Sequence, residues 1–211
     1  YLVDAKAKGI SVTELVTVDK TRPSIELNLD NVEAQLLPGS ENNQEVINKV
    51  LDAGRLMLAA DSIGASQVML NKSVAYSLER KQFGRVIGSF QAVKHMCAEM
   101  AAELEPCHSM IWHASHCYDH DPSQARLMAC HTKAHVSEVS KQISKTATEV
   151  HGGMGFTDEL GLHYWFKRIG LNRQLLGSPE LVREEAARIQ NFDQSPAGGQ
   201  SKKEVGNPLL V

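Results

Sequence analysis

One short stretch of the chain, Tyr76-Ser77-Leu78-Glu79-Arg80-Lys81-Gln82-Phe83-Gly84 with Ser89-Phe90-Gln91 close behind, gathers a guanidinium, two amides and three aromatic rings. Arg80 can pair with a diphosphate, Gln82 and Gln91 can add directional bonds, and Phe83 can pack on a heterocycle. A solvated helix end with a core phenylalanine explains the same residues. Further on, His151-Gly152-Gly153-Met154-Gly155-Phe156-Thr157 is a Gly-rich turn. Its glycines permit positive φ and close backbone approach, and exposed N–H groups there can meet phosphate oxygen. Helix capping accounts for it equally well. A third group, Cys107, His108, His113, His116, Cys117 and His120, with His131 and His135 beyond, contains pairs four residues apart that permit zinc. The pairs lie at different angles around a helix, with no carboxylate at a consistent offset. We therefore expect no metal.

The elements that must position these groups are legible in the hydrophobic periodicity. Residues 10–16 and Ser24-Ile25-Glu26-Leu27-Asn28-Leu29 alternate apolar and polar at period two, which predicts strands. Lys20-Thr21-Arg22-Pro23 and Leu37-Pro38-Gly39-Ser40 read as turns. Val46, Ile47, Val50, Leu51, Leu56, Ala60, Ile63, Val74 and Leu78 then recur at helical steps, predicting one helix over about 43–81. A second is expected from a Ser89 cap to His120 with a kink at Pro106, and a third from Pro122 to Val150. A fourth spans about 160–173 and a fifth runs from Pro179 to about Asn191. The fold class is mainly α: an antiparallel four-helix bundle preceded by a few β-strands. The expected division is 1–40 strands, 41–192 bundle and 193–211 flexible tail.

Composition excludes some functions. The 22 basic and 25 acidic residues give a formal charge of −3, so no basic field awaits nucleic acid. No run approaches the roughly 18 to 20 apolar residues of a membrane span. Cys97, Cys107, Cys117 and Cys130 show no CxxC spacing and suit reduced, packed thiols of a soluble intracellular protein. The chain opens at Tyr1, inside what reads as strand sequence, which suggests a fragment.

Order, spacing and element type together resemble the acyl-CoA dehydrogenase family. The C-terminal helical domain of that family carries an Arg-x-Gln-Phe-Gly segment, then Phe-Gln, then a Gly-Gly-x-Gly-Phe turn before its last helices. The resemblance covers roughly residues 40–190, and the strands before them resemble the end of the family's middle β-domain. It implies FAD as cofactor, an acyl-CoA thioester as substrate and electron-transfer flavoprotein as electron acceptor. It also implies a dimer or tetramer, without nucleic acid or membrane, in bacterial cytoplasm or mitochondrial matrix. Arg80, Gln82, Phe83 and Gln91 match FAD contacts. Gly152 and Gly153 match the turn at the cofactor's diphosphate, which is expected to meet Arg80 and Phe83 of the opposite protomer across a nucleotide-sized gap. Ser178 matches a hydroxyl near FAD, Asp52 and Arg55 match positions on the CoA part of the substrate, and Glu149 stands where many members have Gln.

The implied reaction removes the α-proton of the thioester with a glutamate while the β-hydrogen leaves as hydride to the flavin. Most members place that base where this chain has Leu176, and some where it has Gly54. Glu180 is the nearest carboxylate, displaced roughly 6 Å even along a continuous helix, and Asp52 is a weaker candidate still. Three readings therefore stand: a flavin-dependent acyl-CoA dehydrogenase, a non-catalytic FAD- and CoA-binding subunit paired with a catalytic one, or a structural dimerising helical module.

Overall fold

The structure is a computed structural model describing residues 1–40 and 43–192. The expected tail, 193–211, lies outside the described residues. Strand β1 (Ile10–Leu15) pairs antiparallel with β2 (Ser24–Leu29), with Ile10 opposite Leu29 and Leu15 opposite Ser24. In that register Ile10, Val12, Ile25, Leu27 and Leu29 share one face. The connector between the strands is tied to the bundle. Asp19, buried, accepts from the Thr21 N–H and hydroxyl at 2.9 and 2.6 Å, and Arg22 reaches Asn172 Oδ1 at 2.6 Å.

Helix α1 (Gln44–Glu79) begins where the Asn43 side chain accepts from the Val46 N–H at 3.2 Å, and it runs 36 residues because no proline interrupts it. It ends at Arg80 in an extended conformation. A small hairpin that periodicity could not register follows, β3 (Lys81–Gln82) and β4 (Arg85–Val86). Its tip is Phe83 at φ 54° and Gly84 at φ 76°, the two positive values that a tight two-residue turn demands.

Helix α2 (Gln91–His120) follows a 3₁₀ turn at Ile87–Ser89. Ser89 does not cap it as expected, because its hydroxyl donates back to the Val86 carbonyl at 2.7 Å. Pro106 lies inside α2 without ending it. Helix α3 (Pro122–His151) opens on proline, whose missing N–H costs nothing in a first turn. Helices α4 (Leu162–Gln174) and α5 (Pro179–Ile189) complete the described residues. Short connections make α1, α2 and α3 antiparallel in succession; α4 packs on α1 and α3, and α5 packs on α3.

The core joins Ile63, Met69 and Leu70 of α1 to Met100 and Leu104 of α2, Val136 and Ile143 of α3, and Leu162 and Ile169 of α4. The periodic apolar residues of α1 supply only part of this face. Leu56 and Ile63 are buried, whereas Val46, Ile47, Val50, Val74 and Leu78 are exposed. Serines fill much of the buried face instead. Ser62, Ser66 and Ser73 donate to the carbonyls of Leu58, Ser62 and Met69 at 2.8, 2.8 and 2.9 Å, so their hydroxyls are satisfied within the helix.

Gly88 marks a close approach. A Cβ there would stand 2.9 Å from the Ser77 carbonyl oxygen. Gly88→Ala is expected to cost about 1–3 kcal/mol, read as a lower denaturant midpoint with unchanged slope.

Candidate functional site

The C-terminal end of α1, the small hairpin and the turn after α3 enclose an open cleft of about 410 Å³ whose lining includes Tyr76, Arg80, Gln82, Glu149, Gly152 and Gly153. The two sequence segments singled out for a nucleotide thus meet on one chain. The glycine turn, expected to face Arg80 from the opposite protomer, lines the same cleft as Arg80 within one protomer. Phe83 sits at the hairpin tip, 92% exposed and edge-on to Phe90 with ring centroids 6.2 Å apart. Neither Phe83 nor Gln91, the first residue of α2, lines the cleft.

The glycines of the turn have different reasons to be glycine. At Gly155 a Cβ would lie 2.8 Å from the Thr148 carbonyl oxygen, so the fold itself excludes a side chain. Gly152 has φ 58°, a backbone reason. At Gly153 φ is not positive and a Cβ would meet nothing within 4 Å. Nothing inside the chain requires glycine there, and its backbone is left open for a ligand to approach. With a guanidinium and an amide opposite, the residues present fit a nucleotide bearing a diphosphate.

Two cleft residues escaped the sequence reading. Tyr76 stacks on His151 with ring centroids 4.6 Å apart, and His151 Nδ1 lies 2.7 Å from the Ala147 carbonyl oxygen, which can only accept. Tyr76 stands one helical turn before Arg80, a spacing that could have placed it on the same face.

The second region lies where α1 passes under the α4–α5 turn. A Cβ on Gly54 would be 2.4 Å from Leu176 Cδ1. The two positions at which the resembling family carries its base are therefore neighbours in space, and here a leucine side chain lies over a glycine. Leu176 and Gly177 both have positive φ, 56° and 107°. A leucine held left-handed is strained and needs its surroundings to hold it.

Those surroundings are ionic. Arg55, 7% exposed, donates Nε to the Leu176 carbonyl at 3.0 Å, Nη1 to Asp52 at 3.2 Å and Nη2 to Glu185 at 2.8 Å. Glu185 also pairs with Arg126. Arg55 thus lies beneath the turn, its charge taken up by its neighbours. Asp52, also buried, has its pKa raised by burial, against the pull of Arg126 and Arg55. It lines a second cleft of about 410 Å³ with Lys49, Tyr118 and Arg126.

Glu180 is poorly suited to take a proton. Its pKa is lowered to about 2 by the Ser178 hydroxyl, its own backbone N–H and Arg173, whose Nη2 is 2.7 Å away. Ser178 is the residue before α5 and faces this carboxylate. The other end of the turn rests on Lys133, 1% exposed, whose ammonium donates to the carbonyls of Asn172 and Arg173 at 2.7 and 3.1 Å and to Ser137 at 3.3 Å. Burial, with Arg173 and Arg55 nearby, pushes its pKa down to about 8.

Among the described residues no cluster of His, Cys, Asp and Glu is arranged to hold a metal ion, and no helix is long and apolar enough to cross a membrane. The histidine and cysteine pairs of α2 make local contacts. His113 is 3.7 Å from Cys117, and the His116 and His120 rings are 4.8 Å apart.

Residues 44–190 match the family model described as acyl-CoA dehydrogenase, C-terminal domain. Similar curated proteins include acyl-CoA dehydrogenase IpdE2 of Mycolicibacterium smegmatis, 30% identical over 184 residues, 87% of this chain and 56% of that one. Subunit CarC of the caffeyl-CoA reductase-Etf complex of Acetobacterium woodii is 32% identical over 168 residues, 75% of this chain and 43% of that one. Among solved structures, a glutaryl-coenzyme A dehydrogenase in complex with glutaryl-CoA superposes with a TM-score of 0.82 at 25% identity, covering 90% of this chain and 49% of the other. The chain spans about half the length of the curated relatives it matches.

Proposed function

The chain belongs to the acyl-CoA dehydrogenase family, and from that premise we propose that it serves the α,β-dehydrogenation of an acyl-CoA thioester without itself providing the base at either usual position. The observation that carries this reading is the contact of Leu176 with Gly54, where a Cβ would come within 2.4 Å of the leucine side chain. An apolar group fills the place of the carboxylate, and leucine cannot accept a proton.

The rest of the site suits the family's work. Bound FAD supplies the hydride acceptor. Arg80, Gln82 and the open backbone of Gly152 and Gly153 would hold its dinucleotide, with Phe83 and Gln91 beside the cleft and Ser178 at the α4–α5 turn. Asp52 gives the CoA part a polar contact through the second cleft, and Arg55 keeps the Leu176 turn in place beneath it. Residues 1–40 are read as the end of a middle β-domain and 41–192 as the C-terminal domain. The base then comes from a second, catalytic subunit of a dimeric or tetrameric assembly, with electrons passing to an electron-transfer flavoprotein. CarC, itself a subunit of a complex with Etf, makes that arrangement a natural one.

The test uses the full-length protein, alone and after co-purification with candidate second subunits. The expected result is flavin absorbance near about 450 nm with dehydrogenation at least about 10²-fold slower alone than in the assembly. Full turnover by a homo-oligomer would overturn the non-catalytic reading. A folded protein with no flavin in either form would instead favour a structural module.

A further inference from the structure

We propose that the part of the dinucleotide facing Glu149 is a hydrogen-bond donor, a ribose or ribityl hydroxyl, so that Glu149 reads the cofactor's polyol while Arg80 answers its charge; this rests on the cleft being the flavin site. The first ground is the direction of the helices. Glu79 ends α1 and His151 ends α3, and the last turns of both line the cleft. Each helix C-terminus carries partial negative charge, roughly half an elementary charge, the opposite of the N-terminal ends that attract phosphate.

The second ground is the side chains. Glu149 is exposed at the cleft, and its carboxylate pairs with no cation among the described residues. An ionised carboxylate only accepts hydrogen bonds, whereas a glutamine amide in its place would also donate. His151 adds a further acceptor: with Nδ1–H committed to the Ala147 carbonyl, Nε2 is left to accept. Arg80 is the only guanidinium or ammonium among the residues lining the cleft. A phosphate against Glu149 would meet a full charge and two helix ends of its own sign. A hydroxyl in the same place gains a charge-assisted bond.

The sign of one substitution decides the matter. Full-length protein stripped of flavin is titrated with FAD by calorimetry, as wild type, Glu149→Gln, Glu149→Leu and Arg80→Met. Donation to Glu149 predicts that Glu149→Gln weakens FAD binding about 3- to 10-fold and that Glu149→Leu, which has no acceptor, weakens it further. Arg80→Met should also weaken it, with a shallower dependence on salt. Tighter binding by both Glu149 variants would place an anion there and overturn the proposal, and unchanged affinity in both would overturn it equally. Folded wild-type protein that takes up no FAD, and an Arg80→Met variant that behaves identically, would instead remove the flavin reading of the cleft itself.

Discussion

Lys133→Glu is expected to cost the bundle about 4 kcal/mol, a large part of the roughly 5–15 kcal/mol by which a domain of ordinary stability is folded. The wild-type ammonium is almost fully buried and holds two carbonyl oxygens at the C-terminal end of α4, together with a serine hydroxyl. A carboxylate at that place would turn attraction into repulsion and leave Asn172 and Arg173 carbonyls unpaired. Lys133→Met keeps the stem and removes the charge, and should cost less, about 1–3 kcal/mol for the orphaned acceptors. Lys145→Glu, exposed on the same helix, should stay within about 0.5 kcal/mol. Denaturant midpoints of the three variants check this order, and parity of the Lys133 and Lys145 variants would refute it.

The same lysine gives stability a particular pH dependence. Its folded pKa of about 8 lies below the ordinary 10.5, so between those values the unfolded chain binds the extra proton and stability rises with pH. Cys107 and Cys130 work the other way. Burial raises them to about 11 and about 12 from 9.0, so the native state keeps protons that the unfolded thiols release, and stability falls as pH climbs past that lower value. The melting temperature should therefore rise between about pH 8 and 9 and turn down above. Lys133→Met should lose the rise and keep the fall.

Leu176→Glu has the largest expected effect on function. In the full-length, flavin-loaded protein without a second subunit, it should raise acyl-CoA dehydrogenation by about 10² to 10⁴-fold, the usual contribution of a positioned general base. The turn is already held for it by Arg55 below and Lys133 behind. Gly54→Glu alone should gain little, because its Cβ would stand 2.4 Å from Leu176 Cδ1. Combining Gly54→Glu with Leu176→Gly clears that space and suits the left-handed φ, so the pair should recover activity that neither change gives alone. Turnover is followed with an artificial electron acceptor. No gain in Leu176→Glu, with flavin and CoA binding intact, would show that neither position is the place of the base.

Much of this molecule was written along the chain, because helix length, proline placement and turn chemistry are local properties. The uninterrupted run after Asn43, the proline at the start of α3 and the glycines after it set α1 and α3 to within a residue or two of where they lie. Strand β2 followed from alternation alone. Arg80, Gln82, Gly152 and Gly153, which line one cleft, could be picked out for the same reason, as they cluster at two helix ends marked by glycine.

Contacts between distant segments decided the rest. Which stripe of α1 is buried turned on serines whose hydroxyls bond their own helix, a choice that apolar counting cannot see. That Arg80 and Gly153 share one protomer's cleft, that Leu176 lies over Gly54, and that Arg55 is spent on Glu185 all depend on residues about 70 to 130 positions apart coming together. Sequence spacing carries no record of such distances, since only the packing of whole helices brings those residues within reach of one another.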